Sequence, residues 1–501
     1  MRRSKVIYSF ILSLFLSLNS GYAQVQEHSV ARAWMEELLH SIRNERARPT
    51  VHSRNLFHLS AAMYDAWVFV EGAEEDTYLL GKTVNGQSCM NDKLIGIDKS
   101  LLDVDVVISH AAFTLLHHRF QSAERFGLLS DHYSRVFSDY DLGFYSSPEA
   151  TNLPYVSSEN IGSFIGQCYV NYGLNDGSNE VQDHENRYYV PANPPISPQV
   201  PGNPLITDLN RFQQIQLDVF IGQSGFESGE LQEFLSPEWG DVWPFAMNES
   251  DRLRKSRDGN QYWVYHDPAA PPYFDDFNNE GHDFYKWNFS LVSIWSSHLS
   301  PDDGVMWDIS PAAIGNNINL PEQWDEYESF YQRYDGGDAS QGHALNPATG
   351  QPYEPNIVPR GDYTRVLAEF WVDGPDSETP PGHWFTILNY VNDHPDFEKR
   401  FKGEGAILDD LDWDVKAYFT LGGAMHNAAI AAWSVKGFYD YIRPVSAIRG
   451  LSDLGQAVEP SFESYNEESF SWDTGFIEVV DFDDSLAQGN FEAIGELKLN
   501  A

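Results

Sequence analysis

Hydrophobic positions recur every three or four residues through much of the chain, the spacing that lays an apolar stripe along one helix face. Trp34, Leu38 and Ile42 predict a helix over 31–43, and Leu59, Met63, Ala66 and Val70 a second over 57–70, with Pro49 in the connection. The same period predicts helices over 104–120, over 157–172 (Ile161, Phe164, Ile165, Cys168, Tyr172) and over 283–298 (Phe284, Trp287, Leu291, Ile294, Trp295). Ser310-Pro311 reads as an N-cap followed by proline at the first helical position. Pro321 opens a further helix, with Trp324, Tyr327, Tyr331 and Tyr334 on one side, and Thr379-Pro380 another, continued by Phe385, Leu388 and Val391. Residues 188–205, YYVPANPPISPQVPGNPL, hold neither helix nor central strand. Residues 236–273 and 335–359 read as loops, Ser340-Gln341-Gly342-His343 among them as a turn.

The longest periodic stretch is Leu421 to Gly450, LGGAMHNAAIAAWSVKGFYDYIRPVSAIRG, which reads as one uninterrupted helix. Tyr418, Leu421, Met425, Ala428, Ala432, Val435, Tyr439 and Ile442 form its expected core stripe. One position further on, His426, Ala429, Trp433, Lys436, Asp440 and Arg443 form a second stripe that bears charge. One account is an exposed ladder, Lys436 with Asp440 and Asp440 with Arg443, worth about 0.3–0.5 kcal/mol per pair. The other is an anion site. Lys436 and Arg443 are nearly two helical turns apart and would project from one face. Arginine offers a planar fork of donors and lysine a compact charge, which together suit a tetrahedral oxyanion.

Charge sharpens this picture more than composition does. The 501 residues, 42% hydrophobic and 14% aromatic, supply cores for two or three domains or for one extended helical domain. Lys and Arg number 32 against 74 Asp and Glu, a net charge of −42, which speaks against binding nucleic acid or an anionic membrane. Lys436 and Arg443 would thus be a positive island in a negative field. Residues 1–23 follow a secretory pattern: Arg2, Arg3 and Lys5, an apolar run from Val6 to Leu18, then Gly21-Tyr22-Ala23. The run is too short to span a bilayer, so a secreted or periplasmic chain without a membrane span is expected. Of the two cysteines, Cys89 and Cys168, an oxidising compartment permits a disulfide. Two buried free thiols are the other reading, since Cys168 sits on an apolar stripe. His110, His117 and His118 lack an Asp, Glu or Cys placed to complete a metal set.

Lys436, six residues, then Arg443-Pro444 resembles the first motif of the vanadium-dependent haloperoxidases and the related type 2 phosphatidic acid phosphatases. RNLFHLSAAMYDAW (54–67), LSPEWGDVWPFAM (235–247), GVMWDISPAAIGN (304–316) and FWVDGPDSETPPGHW (370–384) are similar to the secreted bacterial branch of that family. The resemblance implies an all-α fold of helical bundles with long Pro/Gly/aromatic-rich loops. After the signal (1–23) it implies an N-terminal helical region (24–187), a loop-rich connector with helices (188–358) and the start of a vanadate-binding bundle (359–501). It also implies vanadate as cofactor, with Lys436 and Arg443 on its equatorial oxygens as catalytic residues, and hydrogen peroxide and halide as partners. Lys436 would also polarise a bound peroxide. His383, in the first turn of its helix, is expected to be structural or to line the pocket, and is not a vanadate ligand.

The family continues with a Pro-Ser-Gly-His-like motif and then Ser-Arg, three residues, Gly, one residue, His, whose histidine bonds vanadium or, in the phosphatases, attacks phosphorus. After Gly450 this sequence has no His, no Arg and one Lys, Lys498. It therefore reads as truncated, with the second bundle incomplete and no covalent anchor for vanadium, which leaves catalysis by this chain open. The alternatives are an acid phosphatase of the same superfamily, acting on a phosphate ester, and a secreted helical protein without catalytic activity.

Overall fold

The computed structural model describes residues 28–501 apart from 73–74, 143–156, 223–224, 226, 229–230, 276–280, 316–319, 340, 348, 373–376, 456–464, 490–493, 495–496 and 500–501. The signal-like segment 1–23 lies outside the described residues. Among the described residues helix outweighs strand, 47% against 10%. Its helices are α1 (Val30–Arg43), α2 (Pro49–Val70), α3 (Val104–Phe120), α4 (Phe126–Asp139), α5 (Ser158–Asn175), α6 (Gly281–Ser297), α7 (Tyr327–Phe330), α8 (Arg360–Trp371), α9 (Thr379–Asn392), α10 (Asp410–Tyr439) and α11 (Pro444–Asp453). The described strands pair in twos as short antiparallel ribbons. No described helix is long and apolar enough to cross a membrane.

Several elements differ from the periodic reading, each for a local reason. Pro49 is not in a connection but opens α2, where its missing N–H costs nothing. Ser310-Pro311 yields only a turn closed by the Ala313 N–H on the Ser310 carbonyl at 2.9 Å. After Pro321 the chain makes a 3-10 turn at Trp324–Glu326 and the single α-turn of α7. There the Glu326 carboxylate accepts the Glu322 and Gln323 N–H groups, which ties the entry to a tight turn. Within the expected loop 236–273 lies a hairpin, Arg252–Arg257 paired with Asn260–Tyr265. Its turn is Asp258-Gly259, both at positive φ (51° and 81°), the dipeptide that suits a two-residue hairpin turn.

Contacts divide the chain into two compact units, each drawn from separate segments. The first comprises residues up to Ser41, Phe57–Val170 and Ile387–Gly422. At its centre Trp34 packs against Tyr133 and Phe137, ring centroids 6.1 and 5.6 Å away, and its indole N–H donates to Ser109 Oγ at 2.9 Å. Gly162 and Gly166 of α5 let α3 come close: a Cβ on Gly162 would lie 2.7 Å from His110 Cβ. Cys89 and Cys168 form a disulfide with Cα atoms 5.5 Å apart. Beside it the buried Asp65 carboxylate accepts the N–H groups of Tyr78, Leu79 and Leu80 and the Tyr169 hydroxyl. One α2 side chain thus anchors the loop that leads to Cys89.

The second unit comprises Ile42–Leu56, Asn171–Thr386 and Gly423–Ala501. One of its cores gathers Val51, Trp239, Val242, Tyr265 and Ile430, and another Tyr285, Phe289, Ile442, Ala447 and Leu451. Arg54 is wholly buried and is paired with Asp176 and, at 2.5 Å, with Glu180. The proline-rich segment 188–205 is extended, and its start is held by Glu238, whose carboxylate accepts the N–H groups of Arg187, Tyr188 and Tyr189.

Candidate functional site

The stretch 421–450 is two helices, not one. α10 ends at Tyr439, Asp440 turns left-handed at φ 49°, and α11 begins at Pro444 with Arg443 as its extended N-cap residue. Proline disfavours helical backbone in the residue before it and lacks the N–H that a continuous helix needs. Between the helices the chain pairs with residues 210–212. The Phe212 N–H donates to the Asp440 carbonyl (2.7 Å), the Ile442 N–H to the Asn210 carbonyl (3.1 Å), and Arg211 lies opposite Tyr441 in an antiparallel bridge. Arg443 is therefore placed by this bridge and by the proline, not by helical spacing from Lys436.

The expected ladder is likewise absent. Asp440 is fully buried and turned away from both cations of its own segment. Its carboxylate accepts the Tyr189 hydroxyl (2.7 Å) and Arg211 Nε (2.7 Å), with Arg257 Nη1 at 3.7 Å. Burial pushes the Asp440 pKa up, against the opposing pull of Tyr189, Arg257 and Arg211. Arg257, on the hairpin, also donates to the Phe438 carbonyl (2.8 Å) and the Tyr262 hydroxyl (2.9 Å). Asp258 completes the group, 2.8 Å from Arg211 Nη2 and 3.3 Å from Arg257 Nε.

Lys436 and Arg443 are brought near one another and are exposed, and neither pairs with a carboxylate among the described residues. Lys436 Nζ lies over the Trp433 ring, 4.3 Å from its centroid, and the Arg443 guanidinium over Phe212 at 5.1 Å. Trp433 is fixed by its indole N–H on the Leu235 carbonyl (3.1 Å), and Phe212 by its packing with Tyr189 and Phe234. Desolvation against these surfaces, and then the Arg443 charge, push the Lys436 pKa below the ordinary lysine value; desolvation alone lowers Arg443. Solvent access screens both effects, so the two side chains remain cations at neutral pH. Two unpaired cations on aromatic surfaces form a donor set for an anion with more than one oxygen.

The predicted core stripe holds at its ends, where Tyr418, Tyr439 and Ile442 are buried, and is displaced by about one position between them. Ala428 and Ala432 are exposed and Met425 and Val435 half-buried, whereas Gly423, His426, Ile430, Ser434 and Gly437 are buried. The buried face is set by close backbone approach. A Cβ on Gly423 would stand 2.5 Å from the Phe245 ring, and one on Gly437 would run into the Pro237 carbonyl. His426, in the charged stripe of the sequence reading, is at the core instead. It is 0% exposed, with Nε2 2.9 Å from the Trp243 carbonyl, and burial lowers its pKa to about 4.

His383 sits in the second unit away from this pair, and no contact joins it to Lys436 or Arg443 among the described residues. Its Nδ1 is 3.1 Å from Glu378 Oε1, and its ring packs edge-on against Phe370 and Trp371 at 4.4 and 5.3 Å. Burial works against the Glu378 carboxylate, but hydrogen bonding to Thr386 and the Arg43 charge hold its pKa below the usual range. Sequence reasoning missed the residues that build the site's surroundings: Phe212, Tyr189, Arg211 and Arg257. For Arg257 a signal existed, the Asp-Gly hairpin turn beside it; for the others the proline-rich setting gave none.

Residues 416–467, which include both cations, match the family model of the VCPO second helical-bundle domain. No curated protein matches the chain. Among solved structures, the apo and holo forms of a bacterial vanadium-dependent chloroperoxidase are each 14% identical, with TM-scores of 0.44 and 0.42. They align over 81% and 82% of this chain, which spans 66% of theirs. A bacterial vanadium-dependent iodoperoxidase is 15% identical over 84% of this chain and 70% of its own, with a TM-score of 0.43.

Proposed function

We propose that the chain contributes Lys436 and Arg443 to a vanadate site of the haloperoxidase kind, at which hydrogen peroxide oxidises a halide. The observation that carries this reading is a pair of neighbouring cations left uncompensated while Asp440, the carboxylate between them in sequence, is committed to other partners. The family match over 416–467 supports it. The donor set fits an oxyanion: a compact ammonium and a planar fork, each laid on an aromatic ring, with no carboxylate among the described residues in competition. Bound vanadate supplies the activation of peroxide. The residues of this chain bind and orient the oxyanion and place positive charge where negative charge gathers on oxygen. Lys436 and Arg443 hold the anion by charge and hydrogen bonds. Export is part of the proposal, supported by the Cys89–Cys168 bond, which oxidising compartments favour.

Calorimetry with orthovanadate tests the reading. Exposed charge contacts are worth at most about 1 kcal/mol each, so binding should be roughly millimolar or weaker, and lost in Lys436→Ala and Arg443→Ala. Micromolar binding undiminished in Lys436→Ala would place the site elsewhere. With vanadate present, halide-dependent bromination distinguishes a haloperoxidase from a phosphatase, which would hydrolyse a phosphate ester, and from a chain with neither activity.

A further inference from the structure

Asp440 stands four residues after Lys436 and three before Arg443, and a free carboxylate there would be the natural counter-ion of either cation. The fold withholds it. The left-handed turn at Asp440 and the bridge to residues 210–212 point the carboxylate inward, where Tyr189, Arg211 and Arg257 take both of its oxygens. These partners come from three separate places: the extended segment, the bridge strand and the hairpin. We propose that Tyr189, Arg211 and Arg257 act as positioning residues that sequester Asp440, and that this sequestration keeps Lys436 and Arg443 available to an oxyanion. The inference rests on the anion-site reading of those two cations.

Every charged or titratable group seen around Asp440 is consistent with this division. Arg211 and Arg257 share Asp258 as a second acid on the outside, and Arg257 reaches Tyr262. The nearest lysine on the hairpin, Lys255, is held by Asp267 at 2.5 Å and by the Tyr439 hydroxyl at 2.8 Å. Two positive side chains thus face one buried carboxylate, and Lys436 and Arg443 receive none. Loss of Arg211 would leave the Asp440 carboxylate under-paired in a buried place, and Lys436 and Arg443, on its own segment, are uncompensated cations that it could then draw.

The test uses the full chain with Arg211→Gln, the milder Tyr189→Phe, Asp440→Asn and the double variant Arg211→Gln/Asp440→Asn, each confirmed folded by circular dichroism. Two readouts are taken: orthovanadate affinity, and the acetylation rate of Lys436 relative to exposed Lys402, measured on peptides by mass spectrometry. Only the free amine is acetylated and an ion pair with a carboxylate favours the protonated form, so Arg211→Gln should slow Lys436 acetylation and weaken orthovanadate binding, each on the order of 5-fold or more. Tyr189→Phe should do the same to a smaller extent. Asp440→Asn alone should leave both near wild type, and the double variant should recover both. Unchanged Lys436 acetylation in folded Arg211→Gln and Tyr189→Phe overturns the proposal, as does a double variant that fails to recover. Failure of the anion-site reading is seen separately: orthovanadate binding would then be insensitive to Lys436→Ala, while the acetylation rates still decide whether Asp440 is sequestered.

Discussion

At the scale of single residues, the site is a matter of which charges find partners. Lys436 and Arg443 stand out in the sequence by their resemblance to a family motif, and the structure brings the two cations near one another, yet the reason they stay unpaired was not legible. It depends on Asp440 meeting Arg211, 229 positions away, a pairing that no periodicity encodes. His426 shows the same limit in the other direction, since a histidine on a mixed stripe reads as surface until the loop over it is seen. Burial holds its folded pKa near 4, against about 6.5 in the unfolded chain. The unfolded state then binds more protons between these values, so this histidine's contribution to stability is present above about pH 6.5 and is lost as the pH falls through 4. The shift corresponds to about 3 kcal/mol. Urea titrations at pH 7 and pH 4.5 should show a steeper acid loss in wild type than in His426→Gln; equal losses would mean that the imidazole is not buried in its neutral form.

At the scale of elements, the helices with strong 3.6-residue patterns were legible, α3 to both of its ends. α4 escaped although Leu129, Tyr133 and Phe137 carry the signal, as did the hairpin with its Asp-Gly turn. Helix α10 was legible as a helix but not in its rotation. Hydrophobicity marks a face by its side chains, whereas this face is marked by Gly423 and Gly437, which contribute no side chain and permit Phe245 and Pro237 to approach. The two faces make opposite forecasts. Gly437→Ala puts a methyl group into a backbone carbonyl and should cost about 1–3 kcal/mol or more, as overpacking does. Ala432→Ser, on the stripe that hydrophobicity alone marks as core, lies in water and should stay within about 0.5 kcal/mol of wild type. Thermal unfolding of the two variants compares them directly, and a larger shift for Ala432→Ser would return the core to the predicted stripe.

At the scale of the whole molecule, a linear reading could place many of the helices and sum charge but could not see that each compact unit is assembled from three separate segments. The disulfide is one consequence of that assembly. It closes a sequence separation of 79 within the first unit, and in the chain-entropy view it stabilises by about 4 kcal/mol. Cys89→Ala/Cys168→Ala should unfold at correspondingly lower urea, and the unfolded, unreduced wild type should take up no thiol reagent; labelling of two thiols would exclude the bond. Net charge makes the broader forecast. Local ion pairs such as Arg54 with Glu180 are buried and little screened by salt, whereas the −42 excess has no partners to lose. Between 10 mM and 0.15 M salt the screening length falls from about 30 to about 8 Å, which removes repulsion between distant carboxylates while sparing contacts under 4 Å. Self-repulsion should therefore dominate the response, and Tm should rise by several degrees over that range. A fall in Tm would mean that exposed pairs such as Arg365 with Asp362 outweigh the unbalanced charge, contrary to the small worth of such pairs.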